Sequence, residues 1–198
     1  MNKILLSVGE EGIVRDNETE IIINGVGYGN VLILCDAEYS VMGVAHALFH
    51  DSSQFSSTSI VNPLIYGDLI VGQLLKKLVG AHESYPSMDL ETYQARFNSL
   101  LIGGCRPIVG SSVKKLHDSE LDISPRVTER IKSDLSQASI PVRWELTGGD
   151  NLRSIHLRMN HIVVSERFNL RGDSVISNIA INFPEWRLTQ DGKTKILK

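Results

Sequence analysis

The sequence predicts a mixed α+β domain, with helices packed on a largely antiparallel sheet system. Three observations point there. Short apolar runs bounded by glycine and polar clusters recur from the N-terminus onward. A few segments instead repeat apolar residues at the helical period. Two adjacent runs near the C-terminal third read as a hairpin, Leu152–Arg158 and His161–Glu166, with Met159-Asn160 at the tip.

Taken in order, Lys3–Val8 reads as the first strand. The stretch Val8-Gly-Glu-Glu-Gly-Ile-Val is expected to turn toward a second strand around Ile21-Ile-Ile-Asn, with Asp16-Asn-Glu-Thr-Glu as a polar turn. Val31-Leu-Ile-Leu-Cys-Asp is continuously apolar, as a strand covered on both faces would be. Met42–Phe49 is a third strand candidate, and Ser52–Ser59 a polar loop. A helix is predicted over Tyr66–Val79, with Leu69, Ile70, Gln73, Leu74, Lys77 and Leu78 on its recurring face. A second helix is predicted over Met88–Phe97, then a strand from Ser99 ended by Gly103-Gly104. Pro125–Ala138 reads as a further helix, with Ser124 as N-cap and Pro125 in the first position. Ile140–Leu146 alternates like a strand, and Thr147-Gly-Gly-Asp-Asn is a turn. Beyond Arg167, Val175–Phe183 alternates weakly and Asp191-Gly192 signals a turn.

Bulk properties narrow the function classes. The 198 residues, 42% hydrophobic and 22% charged, suit one globular domain. The formal net charge of −3 offers no basic field for nucleic acid. The N-terminal apolar run is too short for a secretory signal, and no stretch reaches the roughly 18–20 apolar residues of a membrane span. A cytoplasmic protein without membrane insertion is therefore expected. Two cysteines, Cys35 and Cys105, are too few for a disulfide framework and read as reduced thiols, one or both buried. No cofactor motif stands out.

The informative stretch is Gly25-Val-Gly-Tyr-Gly-Asn-Val-Leu-Ile-Leu-Cys-Asp, followed by Gly43-Val-Ala-His-Ala-Leu-Phe-His-Asp-Ser. Glycines at alternate positions before a buried strand allow a sharp turn and a close backbone approach. By itself this is only a tight strand entry. Further along come Tyr66-Gly-Asp opening a helix that ends in Gly80-Ala, then Gly103-Gly104, then Ile140-Pro141, then Thr147-Gly-Gly-Asp-Asn-Leu-Arg153. In that order and spacing, over roughly residues 5–166, the chain resembles the CheD family of bacterial chemotaxis glutamine deamidases.

The resemblance implies a three-layer α/β/β sandwich over residues 1–166, with residues 167–198 as a C-terminal extension packed on or flanking it. It also implies a protein-glutamine hydrolase. A thiolate attacks the side-chain amide, a histidine moves the proton, and a threonine orients the histidine. Backbone N–H groups of the glycine turn can hold the oxyanion, so Gly25, Gly27, Tyr28 and Asn30 are the binding candidates. Implied partners are chemoreceptor cytoplasmic helices or a CheC-like phosphatase.

The catalytic set is incomplete. The histidine falls on His46. The nucleophile position carries Gly29, the preceding serine position Tyr28 and the threonine position Ile23. Losing a nucleophile removes orders of magnitude of activity. Cys35 stands six residues past Gly29, about 20 Å along an extended strand. Cys105, beside Arg106, is the only credible relocated nucleophile. His46 is either a vestigial catalytic group or a hydrogen-bonded core histidine. His46 and His50 would stand about 13 Å apart on a strand, and His156 and His161 lack a third ligand, so no metal site is expected. Ser111-Ser112 has no local base, and Arg171-Gly-Asp173 is a short chance match. The polar insert 82–99 and the tail 167–198 are docking elements or solvated decoration. Trp186 either tucks onto the domain or anchors a partner. Two functions follow: a CheD-like signalling protein that binds without hydrolysing, or an active deamidase using Cys105.

Overall fold

The computed structural model describes residues 1–27, 29–36, 41–49, 51–54, 62–81, 97–103, 123–149, 151–167, 175–183 and 185–197. Its strands are β1 (Asn2–Leu6), β2 (Glu11–Val14), β3 (Thr19–Val26), β4 (Asn30–Asp36) and β5 (Val41–Ala47). Helix α1 (Gly67–Gly80), β6 (Asn98–Gly103), helix α2 (Ile123–Gln137) and β7 (Val142–Thr147) follow. The chain continues with β8 (Leu152–Arg158), β9 (His161–Arg167), β10 (Val175–Asn182), β11 (Arg187–Gln190) and β12 (Lys193–Ile196).

These elements form three layers. A seven-stranded sheet, ordered β1-β3-β8-β9-β10-β11-β12, stacks on a five-stranded sheet, ordered β2-β5-β4-β6-β7. The two helices pack on the far side of the five-stranded sheet. This is an α/β/β sandwich. Among the described strands only β1–β3 and β6–β7 pair in parallel, so the system is largely antiparallel as expected.

Strand parity sorts the core into two slabs. Val31, Ile33 and Cys35 of β4 face the seven-stranded sheet and meet Ile21, Ile23, Ile155 and Leu157. Leu32 and Leu34 face the helices and meet Ile70, Leu74, Leu78 and Ile131. Every residue of β4 and β5 is buried, because those strands lie in the middle layer. That explains the continuous apolar run in β4: a strand with two dry faces has no polar side to alternate with.

Several expectations shift in detail. Helix α1 buries Gly67, Ile70, Val71, Leu74, Leu75 and Leu78. Its core stripe is rotated by one position from the predicted face, since Val71 and Leu75 are apolar where Gln73 and Lys77 are not. Lys77 instead reaches across to Glu11 of β2, Nζ to Oε1 2.6 Å. Helix α2 begins at Ile123, so Ser124 lies inside its first turn and Pro125 at the third position. Proline is tolerated there because first-turn N–H groups have no intrahelical acceptor. Strand β2 falls in the stretch where the sequence predicts a turn. It is only four residues long, and its Gly12 packs where a side chain would strike Ile21. The predicted helix over Met88–Phe97 lies outside the described residues except for Phe97, which is fully buried just before β6.

The hairpin of β8 and β9 forms as predicted, with Asn160 at φ +63° in its turn. Strands β10 to β12 continue the same sheet, and Ile179, Ile181, Phe183 and Leu188 join its core. Trp186 tucks inward: its ring meets Phe183 edge to face, centroids 4.6 Å apart.

Candidate functional site

Three strand ends of the five-stranded sheet converge at one end of the sandwich. Asn30 opens β4 and pairs with Ala47 at the end of β5 and Gly103 at the end of β6. Just before Asn30, Gly29 sits at φ +81°, and Gly103 at φ +134°. Both lie in backbone space that suits glycine. A Cβ on Gly29 would run into the carbonyl oxygen of Ala47 and stand 3.0 Å from Leu48 Cα. A Cβ on Gly103 would stand 2.5 Å from the Gly29 carbonyl oxygen and 3.0 Å from Asn30 Cα. The three ends are therefore in direct main-chain contact, and side chains are excluded from between them.

The seven-stranded sheet reaches this end through Arg153 of β8, which pairs with Val26 beyond the irregularity in β3. Arg153 is 3% exposed. Its Nη1 donates to the Gly103 carbonyl at 2.8 Å and its Nη2 to the Gly148 carbonyl at 2.9 Å. Its Nε donates to Glu166 Oε1 at 3.0 Å. One guanidinium thus holds β6 and the turn after β7 against β8 and β9. The fork of donors on arginine suits this and a lysine would not. The Gly148 N–H adds a bond to the Gly103 carbonyl at 3.0 Å.

The predicted site residues distribute around this end as follows. His46, on β5 opposite Val31, is 4% exposed and shares strand parity with Met42 and Val44, which face the space between the sheets. Its carbonyl accepts from the Gly9 N–H at 2.9 Å. Ile23 is 1% exposed and belongs to the core between the two sheets, on the facing sheet. Gly29 abuts the β5 end one residue beyond His46. Gly25 is exposed at φ +67° with no atom in reach of an added Cβ, and Gly27 is buried. Asn30 is fully buried and on the other side of its sheet: its Oδ1 accepts from Thr128 Oγ1 of α2 at 3.2 Å. It joins β4 to the helix layer.

Tyr28 and Cys105 lie outside the described residues, as do His50, Ser111-Ser112 and Arg171-Gly-Asp173. Cys35 is buried on the inter-sheet face, where burial and then the nearby Asp36 charge push its thiol pKa far up. It carries no thiolate chemistry. His156 Nδ1 lies 3.2 Å from Glu20 Oε1, and His161 Nδ1 lies 2.7 Å from Asn182 Oδ1, so the two rings serve different neighbours. Among the described residues no three His, Cys, Asp or Glu side chains group as a metal would need, and no helix is long and apolar enough to cross a membrane.

The role of Arg153 was not read from the sequence. Its signal was parity: Arg153 stands at the same alternation as Ile155 and Leu157, which are core residues. An arginine on an apolar face marks a buried pairing. Asn30, a polar residue at the head of an apolar run, carried the same kind of signal.

No protein-family model matches the chain. Probable chemoreceptor glutamine deamidase CheD from Clostridium novyi (strain NT) is 29% identical over 158 residues, covering 78% of this chain and 87% of that protein. The protein of the same name from Clostridium botulinum (strain Hall) is 29% identical over 144 residues, covering 72% and 78% respectively. These similarities support a family-level relationship between the chain and CheD, as a divergent relative. In the present backbone the tight apposition of Gly29, Ala47 and Gly103 leaves no volume for a side chain at position 29.

Proposed function

We propose that this CheD relative acts in chemotaxis signalling by binding chemoreceptor cytoplasmic helices or a CheC-like phosphatase, without hydrolysing glutamine. The observation that carries the reading is the closed contact at Gly29. Position 29, matched to the family nucleophile, has positive φ and a Cβ direction blocked by the Ala47 carbonyl. The chain there has adapted to glycine, beyond merely losing a thiol. Ile23 at the threonine position supports the same reading, since an alkyl group cannot orient an imidazole through a hydrogen bond. His46 is then a retained core histidine and the glycine turn a docking feature.

The test is mass spectrometry of chemoreceptor cytoplasmic fragments that carry glutamines at their modification sites. The native chain is expected to leave glutamine unconverted. Gly29→Cys is expected to stay silent too, because the added side chain has no place in the present backbone. Conversion by the native chain would sink the proposal. Loss of that conversion in Cys105→Ala would then assign the nucleophile to Cys105.

A further inference from the structure

Among the described residues, one sheet face carries no further layer. Helices α1 and α2 pack on the five-stranded sheet, and no described helix packs on the outer face of the seven-stranded one. Strand register places the residues of this face in rows that run across the strands. Lys3, Glu20, Arg158, His161, Asn182 and Arg187 form one row, each opposite the next. Two residues along the strands, Leu5, Ile22, His156, Val163 and Ala180 form the next.

The first row is cationic at its surface. Among the described outward strand positions are Lys3, Arg158, Arg167 and Arg187, against one carboxylate, Glu20. Glu20 is sunk to 2% exposure beneath Arg158, His156 and Lys3, with Oε1 3.0 Å from Arg158 Nη2. The positive ends remain outside while Glu20, the one carboxylate among those described positions, is covered. This stands out on a chain whose net charge is −3. The neighbouring row is apolar at its β1 end: Leu5 is 65% exposed, and Ile22 and Val163 are half-buried.

We infer that this open face docks an amphipathic helix with an acidic flank, supplied by a partner protein. The helix would lie across the strands, on the face where no described helix packs. Strands repeat every ~4.8 Å and a helical turn advances ~5.4 Å, so roughly one turn meets each strand. The span from Lys3 on β1 to Arg187 on β11 crosses five inter-strand gaps, about 24 Å, which about 16 helical residues cover. The two rows stand ~7 Å apart, within the ~10 Å width of a helix. Leucine-type side chains would settle on Leu5, Ile22 and Val163 while Asp or Glu on one flank meet Lys3, Arg158 and Arg187. Charge complementarity selects an acidic partner, and the apolar row selects a protein helix over a phosphate backbone. The inference is independent of whether the chain hydrolyses glutamine.

The test uses the full chain and two synthetic helical peptides of about 16 residues. Both carry leucines at helical spacing on one face. One has glutamates along the flank and its twin has lysines. The glutamate peptide is expected to bind, more weakly as salt rises, and the lysine twin at least about tenfold less tightly. Leu5→Glu and Arg187→Glu are each expected to weaken binding about tenfold with an unchanged melting temperature, while Lys76→Glu on α1 leaves it intact. Equal binding of the twins overturns the inference, as does no binding, or binding indifferent to both face variants. Displacement of the peptide by a single-stranded oligonucleotide would also overturn it, in favour of a nucleic-acid surface. A glutamine-conversion result either way leaves this outcome untouched.

Discussion

Position 29 is where a single residue decides the chemistry. Gly29 and Gly25 both have positive φ, but only Gly29 faces main chain where its Cβ would be. Gly25→Ala should therefore cost about 1–2 kcal/mol, the conformational term alone. Gly29→Ala should cost more, about 3 kcal/mol or above, because the β5 end must move. Urea denaturation of the two variants checks the order, and equal losses would mean the contact at Ala47 yields easily. Glu20 gives a second residue-level expectation. Burial pushes its carboxyl up, but hydrogen bonds from His156 and Arg158 and the charges of Arg158 and Lys3 outweigh that and hold it below the usual value. A carboxyl with a lowered folded pKa stabilises the fold above its unfolded value, about 4.3, and loses that contribution as pH falls through the folded one. Melting temperatures between about pH 3 and pH 6 should thus fall steeply on the acid side, and Glu20→Gln should flatten that slope.

At the scale of elements, α1 offers the cleanest contrast. Leu75 is 3% exposed in its core stripe and Lys76 beside it is exposed. Leu75→Ala should destabilise by about 2–5 kcal/mol and Lys76→Ala by less than about 0.5 kcal/mol, read from thermal melts. The stripe was only partly legible in the sequence. Two overlapping helical faces both contain Ile70, Leu74 and Leu78, and packing on β5 rather than propensity picks the one with Val71 and Leu75. Strands with one wet face, such as β8 and β9, announced themselves by alternation. The central strands β4 and β5 did so by having none. Strand β2 stayed hidden because four residues with a glycine among them carry too little pattern. Of the candidate site, the glycine turn and His46 could be found from order and spacing. The mutual exclusion of side chains by Gly29, Ala47 and Gly103 could not, since it arises from residues far apart in the chain meeting through their backbones. The arginine that secures them, Arg153, was visible only as a misplaced charge.

On the scale of the whole molecule, Arg153 is the fastening between the two sheets at the site end. Arg153→Met should cost roughly 3–5 kcal/mol, because a buried carbonyl, a part-buried one and Glu166 lose a charged partner together. Arg153→Lys should recover only part of this, since a point charge cannot serve three acceptors in one plane. Equilibrium unfolding of the pair checks both. The pairing of β3 with β8 has a consequence for how the chain comes to be. Glu20 meets Arg158 across most of the polypeptide, so the seven-stranded sheet is built from both ends while its five-stranded neighbour is strung between. During synthesis, β1 and β3 emerge from the ribosome early and wait with an open edge until β8 arrives. A topology of such high contact order folds in about milliseconds to seconds rather than microseconds. During that interval Ile21 and Ile23, later among the driest side chains of the protein, are what a chaperone would meet first.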